Sequence, residues 1–180
     1  RHPPRTSSEE EEIHKLLKKG CISGFYVPAY INPSLIRTWQ EMSPIPLFIA
    51  TDIESNFHSQ SYPVTPLPKA ISLGAIGDEE LAYQWGATAA QEAKDAGINY
   101  AFGPVLDVSF CQDNDVGCCR NFSADPELVG KLGCAVIKAY QDNGMQVAAK
   151  HFPGLGGDVP DAHMRMPALD VTKETLLKNE

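Results

Sequence analysis

Between Val147 and Pro167 the chain reads VAAKHFPGLGGDVPDAHMRMP. An apolar run ends in Lys150 and His151, and a glycine-rich stretch follows that carries Asp158, Asp161, His163 and Arg165. These residue types suit proton transfer and the gripping of a polar ligand. An imidazole, with an ordinary pKa of about 6.5, can give and take a proton near neutral pH. A carboxylate two residues away can orient such a ring and stabilise its charged form. Glycines at 154, 156 and 157 let the backbone turn tightly and move. A lysine and a histidine at the end of a strand are held more rigidly, which suits binding.

The elements that must hold these groups follow from periodicity. Acidic residues from Glu9, then Ile13, Leu16 and Leu17 and a closing Gly20, predict a helix. The runs 21–27, 45–51, 98–108 and 145–152 are almost continuously apolar, as strands are when both faces of a parallel sheet are covered. Helices are predicted over 32–42, where Asn32 caps and Pro33 opens the first turn, and over 77–97. Two more are predicted over 125–144, with Asp125 as cap and Pro126 next, and over 170–180. Helix and strand therefore alternate, a pattern used by doubly wound sheets and by (β/α)8 barrels.

No glycine-rich nucleotide fingerprint follows any strand, which disfavours the nucleotide-binding sheet. Polar residues collect instead where strands end, at Asp52, Glu54, Asp107, Lys150 and His151, and barrels build their active sites on that rim. Four strands are legible, whereas a barrel of about 250 residues has eight. The expected fold is thus α/β, the first half of a (β/α)8 TIM barrel. Residues 1–12 are expected to form a flexible N-terminal segment and 13–180 the partial barrel. The other half would come from further sequence or from another chain. The proline-rich stretch 52–70 is expected to be a functional loop or a lid.

A net charge of −8 argues against nucleic acid or an anionic membrane surface as partner. No apolar run reaches the roughly 18 residues a membrane span needs. The five cysteines are odd in number and lack a C-x-x-C, so free thiols in a reducing compartment are expected, with no metal site and no cofactor. A cytoplasmic location fits. Secretion or lipid anchoring stays open, because no initiator Met precedes Arg1.

The stretch AAKHFPGLGGDVPDAH resembles the signature K-H-[FI]-P-G-[HL]-G-x(4)-D-[ST]-H of family-3 glycoside hydrolases of the β-N-acetylglucosaminidase type. PLFIATDIE (46–54), residues 71–108 and GCCRNFSADPELV (117–129) are similar to further segments of that family, so the likeness covers about residues 20–180. It implies a (β/α)8 barrel acting on a small β-N-acetylglucosaminide, with peptidoglycan-derived fragments as the first candidate substrate. It also implies roles. Asp52, Arg120, Lys150 and His151 would bind the sugar, His163 would be the general acid/base, and Asp161 its partner. The nucleophile would be an Asp beyond a later strand, and no matching motif occurs here.

Three departures stand out. Ala162 occupies a position usually Ser or Thr. The family's G-G-R-V-Q-R is replaced by SNFHSQ (55–60), so Gln60 stands where a sugar-binding Arg would fall. The nucleophile motif is absent. Together they leave a second reading open, a sugar-binding remnant without turnover. Hydrolysis is not distinguished from phosphorolysis, since a His acid/base tolerates an incoming phosphate better than a carboxylate would. Asp107 is read as structural, and His58 as plain surface.

Overall fold

The computed structural model describes residues 7–27, 32–57, 62–108, 119–154 and 172–179. Among the described residues four parallel strands form one sheet in sequence order: β1 (Gly24–Tyr26), β2 (Phe48–Asp52), β3 (Tyr100–Val105) and β4 (Gln146–Lys150). Six helices among the described residues accompany them: α1 (Ser7–Lys18), α2 (Pro33–Met42), α3 (Ala70–Ile76), α4 (Glu79–Asp95), α5 (Pro126–Asp142) and α6 (Lys173–Asn179). The expected half of a (β/α)8 barrel is what the chain forms.

The helix starts lie where their caps put them. The side chains of Asn32, Asp78 and Asp125 accept from the backbone N–H groups of Leu35, Leu81 and Glu127, each satisfying a donor that has no partner within its helix. Two local results differ from the sequence reading. The helix predicted from Glu9 starts earlier, at Ser7, so α1 takes in part of the 1–12 segment expected to be flexible; Glu9 and Glu10 sit favourably in its first turn and Ile13 and Leu17 are buried. Helix α3 was not expected. It has no side-chain cap, which removed the usual signal for a start.

Residues alternate across the sheet. Phe25, Ile49 and Ala101 are buried in the core that the helices share, and Phe25 stacks on the buried Trp39 of α2 with ring centroids 4.2 Å apart. Helices α4 and α5 contribute Ala82, Ala89, Ala90, Ala93, Val129, Leu132 and Val136 to the same core. The opposite face carries Tyr26, Phe48, Tyr100 and Phe102, whose rings meet in pairs 5.3–5.9 Å apart. A barrel turns that face to its interior.

Close backbone approach holds the region near the strand ends. A Cβ on Gly103 of β3 would lie 2.2 Å from the carbonyl oxygen of Ile53, so only glycine lets β3 come this near to the segment leaving β2. A Cβ on Gly74 of α3 would lie 1.6 Å from the carbonyl oxygen of Phe122, two residues past Arg120.

Candidate active site

All the described polar groups of interest gather at the C-terminal ends of the strands. Asp52 and Lys150 are the last residues of β2 and β4, and Tyr26 is the last of β1. The Lys150 ammonium donates to Asp52 Oδ1 and to Glu54 Oε1, each at 2.6 Å. Arg120, between β3 and α5, closes a two-pronged pair on Glu54, with Nε to Oε2 and Nη2 to Oε1, both 2.7 Å. Two parallel N–H···O bonds fix the guanidinium in plane as well as in place. The Tyr26 hydroxyl donates to Asp52 Oδ2 at 2.5 Å. One connected network therefore runs Tyr26–Asp52–Lys150–Glu54–Arg120.

Beside it, Asp107 holds His151 twice. Its Oδ2 lies 2.6 Å from the ring Nδ1, and its Oδ1 accepts from the His151 backbone N–H at 3.2 Å. An ionised carboxylate can only accept, so Nδ1 carries the proton and Nε2 is left as the ring's second polar atom. Asp107 is buried, two residues beyond β3, while His151 is partly open.

Charge follows from this wiring. Burial pushes the Glu54 carboxyl up, but the hydrogen bonds and charges of Arg120 and Lys150 outweigh it and hold the group down at about 2. Glu54 thus stays an anion and serves as a fixed acceptor. Burial, then the bond to Asp52, pushes the Tyr26 phenol up to about 12, so it stays a donor. Arg120 is raised by its bond to Glu54. Lys150 is only 14% exposed, whereas Asp52 is 45% exposed. The arrangement can present a carboxylate to ligand hydroxyls while the cations behind it stay put.

A cleft of about 450 Å³ adjoins the network, lined by Asp52, Glu54, Asn56, Phe57, Thr65 and Arg120 among others. A smaller one of about 200 Å³ lies against Asp107, Lys150, His151 and Phe152. Among the described residues no group of His, Cys, Asp and Glu could hold a metal ion.

Of the residues picked from sequence, Asp52, Arg120, Lys150 and His151 lie on this rim, though Arg120 and Lys150 meet through Glu54. His163 and Asp161 lie outside the described residues, as do Ala162, His58 and Gln60. Glu54 was placed on the strand-end rim but given no role; Tyr26 and the His151-holding part of Asp107 were not foreseen, and nothing in the sequence marks Tyr26. Cys21, Cys119 and Cys134 are free thiols, as expected, and Cys111 and Cys118 are not described. No described helix is long and apolar enough to cross a membrane.

Residues 30–180 match the glycosyl hydrolase family 3 N terminal domain. A beta-hexosaminidase of Thiobacillus denitrificans is 40% identical over 109 residues, which cover 57% of this chain and 30% of that protein. A beta-N-acetylglucosaminidase/beta-glucosidase of Cellulomonas fimi is 31% identical over 129 residues, 72% of this chain and 23% of the other. Among solved structures, the family 3 beta-N-acetylglucosaminidase of Paenibacillus sp. FPU-7 superposes with a TM-score of 0.84 at 29% identity, covering 94% of this chain and 34% of that one. NagZ from Neisseria gonorrhoeae, in complex with N-trifluoroacetyl-D-glucosamine, superposes at 0.81 with 30% identity, covering 94% and 53%. The chain spans from about a quarter to about half the length of these proteins. It belongs to glycoside hydrolase family 3 and carries sequence of that family's N-terminal domain.

Proposed function

We propose that this chain forms the sugar-gripping half of a β-N-acetylglucosaminidase that works with retention. Asp52, Arg120, Lys150 and His151 bind the terminal N-acetylglucosamine, with Glu54 holding both cations. His163, oriented by Asp161, protonates the leaving oxygen and then takes a proton from water. The nucleophilic Asp lies beyond residue 180. Peptidoglycan-derived fragments are the proposed substrate class, in a cytoplasmic setting.

The observation that carries this reading is the Lys150 bridge to both Asp52 and Glu54 at the strand ends. It builds a site that recognises hydroxyls through fixed charges, and a neutral sugar offers hydroxyls. The complex of the Neisseria protein with an N-acylated glucosamine supports the same ligand class.

The test is cleavage of a chromogenic β-N-acetylglucosaminide by the intact protein. His163→Ala should slow it by about 10²–10⁴-fold, the range of general acid–base catalysis. Substrates with good leaving groups should recover part of the loss. A second reading, sugar binding without turnover, is favoured by Gln60 at the position of an expected Arg. Measurable binding with no cleavage of any β-glycoside would select it.

A further inference from the structure

Glu54 sits in a tight turn closed by the bridge between Ile53 and Phe57. That turn is not held from the sheet alone. Glu92, on the outer helix α4, accepts from Asn56 Nδ2 at 2.7 Å, from the Thr65 backbone N–H at 2.9 Å and from Thr65 Oγ1 at 2.5 Å. Asn56 also donates to the Thr65 carbonyl at 3.2 Å, while its own Oδ1 accepts from Phe57 N at 2.8 Å. Seven residues earlier, on the same side of α4, Trp85 Nε1 donates to the Pro68 carbonyl at 3.0 Å. One helix face thus clamps the segment after β2 at residues 56, 65 and 68.

The clamp reaches the sugar-binding network in two steps. Asn56 is two residues from Glu54, and Glu54 is the shared acceptor of Lys150 and Arg120. Asn56 and Thr65 also line the cleft beside Asp52 and Arg120. The Asn56 link is a feature of this chain's SNFHSQ run, because glycine, which the family resemblance puts at this position, has no side chain to form it. Burial raises the Glu92 carboxyl, but the three hydrogen bonds outweigh it, so the acceptor stays ionised.

We infer that Glu92 is a positioning residue for ligand binding: it fixes the Ile53–Phe57 turn and thereby the place of Glu54 and the wall of the cleft. This rests on the sugar-hydrolase reading for its kinetic readout, and a separate readout frees it from that reading. Glu92 touches no reacting atom, so its loss should act on binding and leave the chemical step alone.

The experiment compares Glu92→Ala, Glu92→Gln and Asn56→Gly in the intact protein with 4-nitrophenyl N-acetyl-β-D-glucosaminide. Losing charge-assisted hydrogen bonds at the clamp should raise KM about tenfold in Glu92→Ala, with kcat within about threefold. Glu92→Gln keeps an acceptor for Asn56 and Thr65 N and can donate to the Thr65 hydroxyl, so it should stay close to wild type. Asn56→Gly should fall between them. Hydrogen exchange should speed up at Phe57 and Thr65 in Glu92→Ala and not in Glu92→Gln. Unchanged KM and unchanged exchange in Glu92→Ala would overturn the inference. So would equal damage in the Gln and Ala variants, or a loss confined to kcat. If wild type shows no turnover, the hydrolase reading fails on its own. The clamp is then judged by exchange and by the Kd for N-acetylglucosamine, which should weaken in Glu92→Ala alone of the two Glu92 variants.

Discussion

Lys150 and Asp52 stand 98 positions apart in sequence, at the ends of β4 and β2, yet the ammonium and carboxylate lie 2.6 Å apart across the end of β3. The pair exists because β2, β3 and β4 run parallel side by side, with a register shift at Phe102/Gly103 between β3 and β4, and it ties the sheet's order to its ligand-binding rim. Replacing Lys150 by Met would leave Asp52 and Glu54 facing each other with one cation removed. A loss of about 1–3 kcal/mol in stability is expected, less than for a fully buried pair because Asp52 is half open to water. Urea unfolding measures it, and an unchanged midpoint would speak against the bridge.

Acid should attack this site late. Glu54 titrates at about 2 in the folded chain against 4.5 for the unconstrained group. Its folded value is depressed, so its contribution to stability is full above about pH 4.5 and is lost as the pH falls towards 2. Arg120→Gln removes the ion pair and should move this loss to higher pH. Acid unfolding curves of the two proteins decide it; superimposable curves would show that Arg120 does not hold Glu54 down.

The order of helices and strands was legible because each major start carries its own mark. Asn32-Pro33, Asp78 and Asp125-Pro126 announced α2, α4 and α5 to within a residue or two. The strands were found but drawn too long: 21–27 shrinks to Gly24–Tyr26, although Ile22 and Val27 outside it are buried like strand residues and Val27 N still donates to the Ala50 carbonyl. α3 hid behind prolines and lacks a cap. At the site, residue types at strand ends pointed to Asp52, Lys150 and His151. The partnership of Glu54 with Lys150 and Arg120 was not legible, because it depends on how three separate loops meet. Tyr26 could not be told from a core aromatic: its ring packs on Phe102 and only its hydroxyl reaches Asp52.

Asp107 is expected to set the tautomer of His151. In Asp107→Asn one oxygen still accepts from the His151 backbone N–H, which turns the amide nitrogen towards Nδ1 and forces the ring proton to Nε2. Imidazole ¹⁵N NMR distinguishes the two forms. Sugar affinity should drop about tenfold or more, as when a charge-assisted bond is lost. A proton that remains on Nδ1 in the variant would refute the assignment.

Gly74→Ala separates helix propensity from packing. In an open helix the change would stabilise by about 1 kcal/mol. Here the new Cβ would lie 1.6 Å from the Phe122 carbonyl oxygen, a backbone atom that cannot step aside cheaply. The overlap should win, with a net loss of about 1–3 kcal/mol and weaker sugar binding through the displaced Arg120. Thermal unfolding and ligand titration check both parts; a higher melting temperature would mean that α3 does not press on this segment.

The most direct measurement is the initial rate of β-N-acetylglucosaminide cleavage by the intact protein and by its Asp52→Ala variant at equal concentration. Turnover by the wild type, with kcat/KM reduced about 100-fold in the variant, is expected from the loss of two or more fixed hydrogen bonds to the sugar. Equal rates in the two proteins would contradict a sugar site built on the Asp52–Lys150 rim, and no cleavage by either would contradict the hydrolase reading.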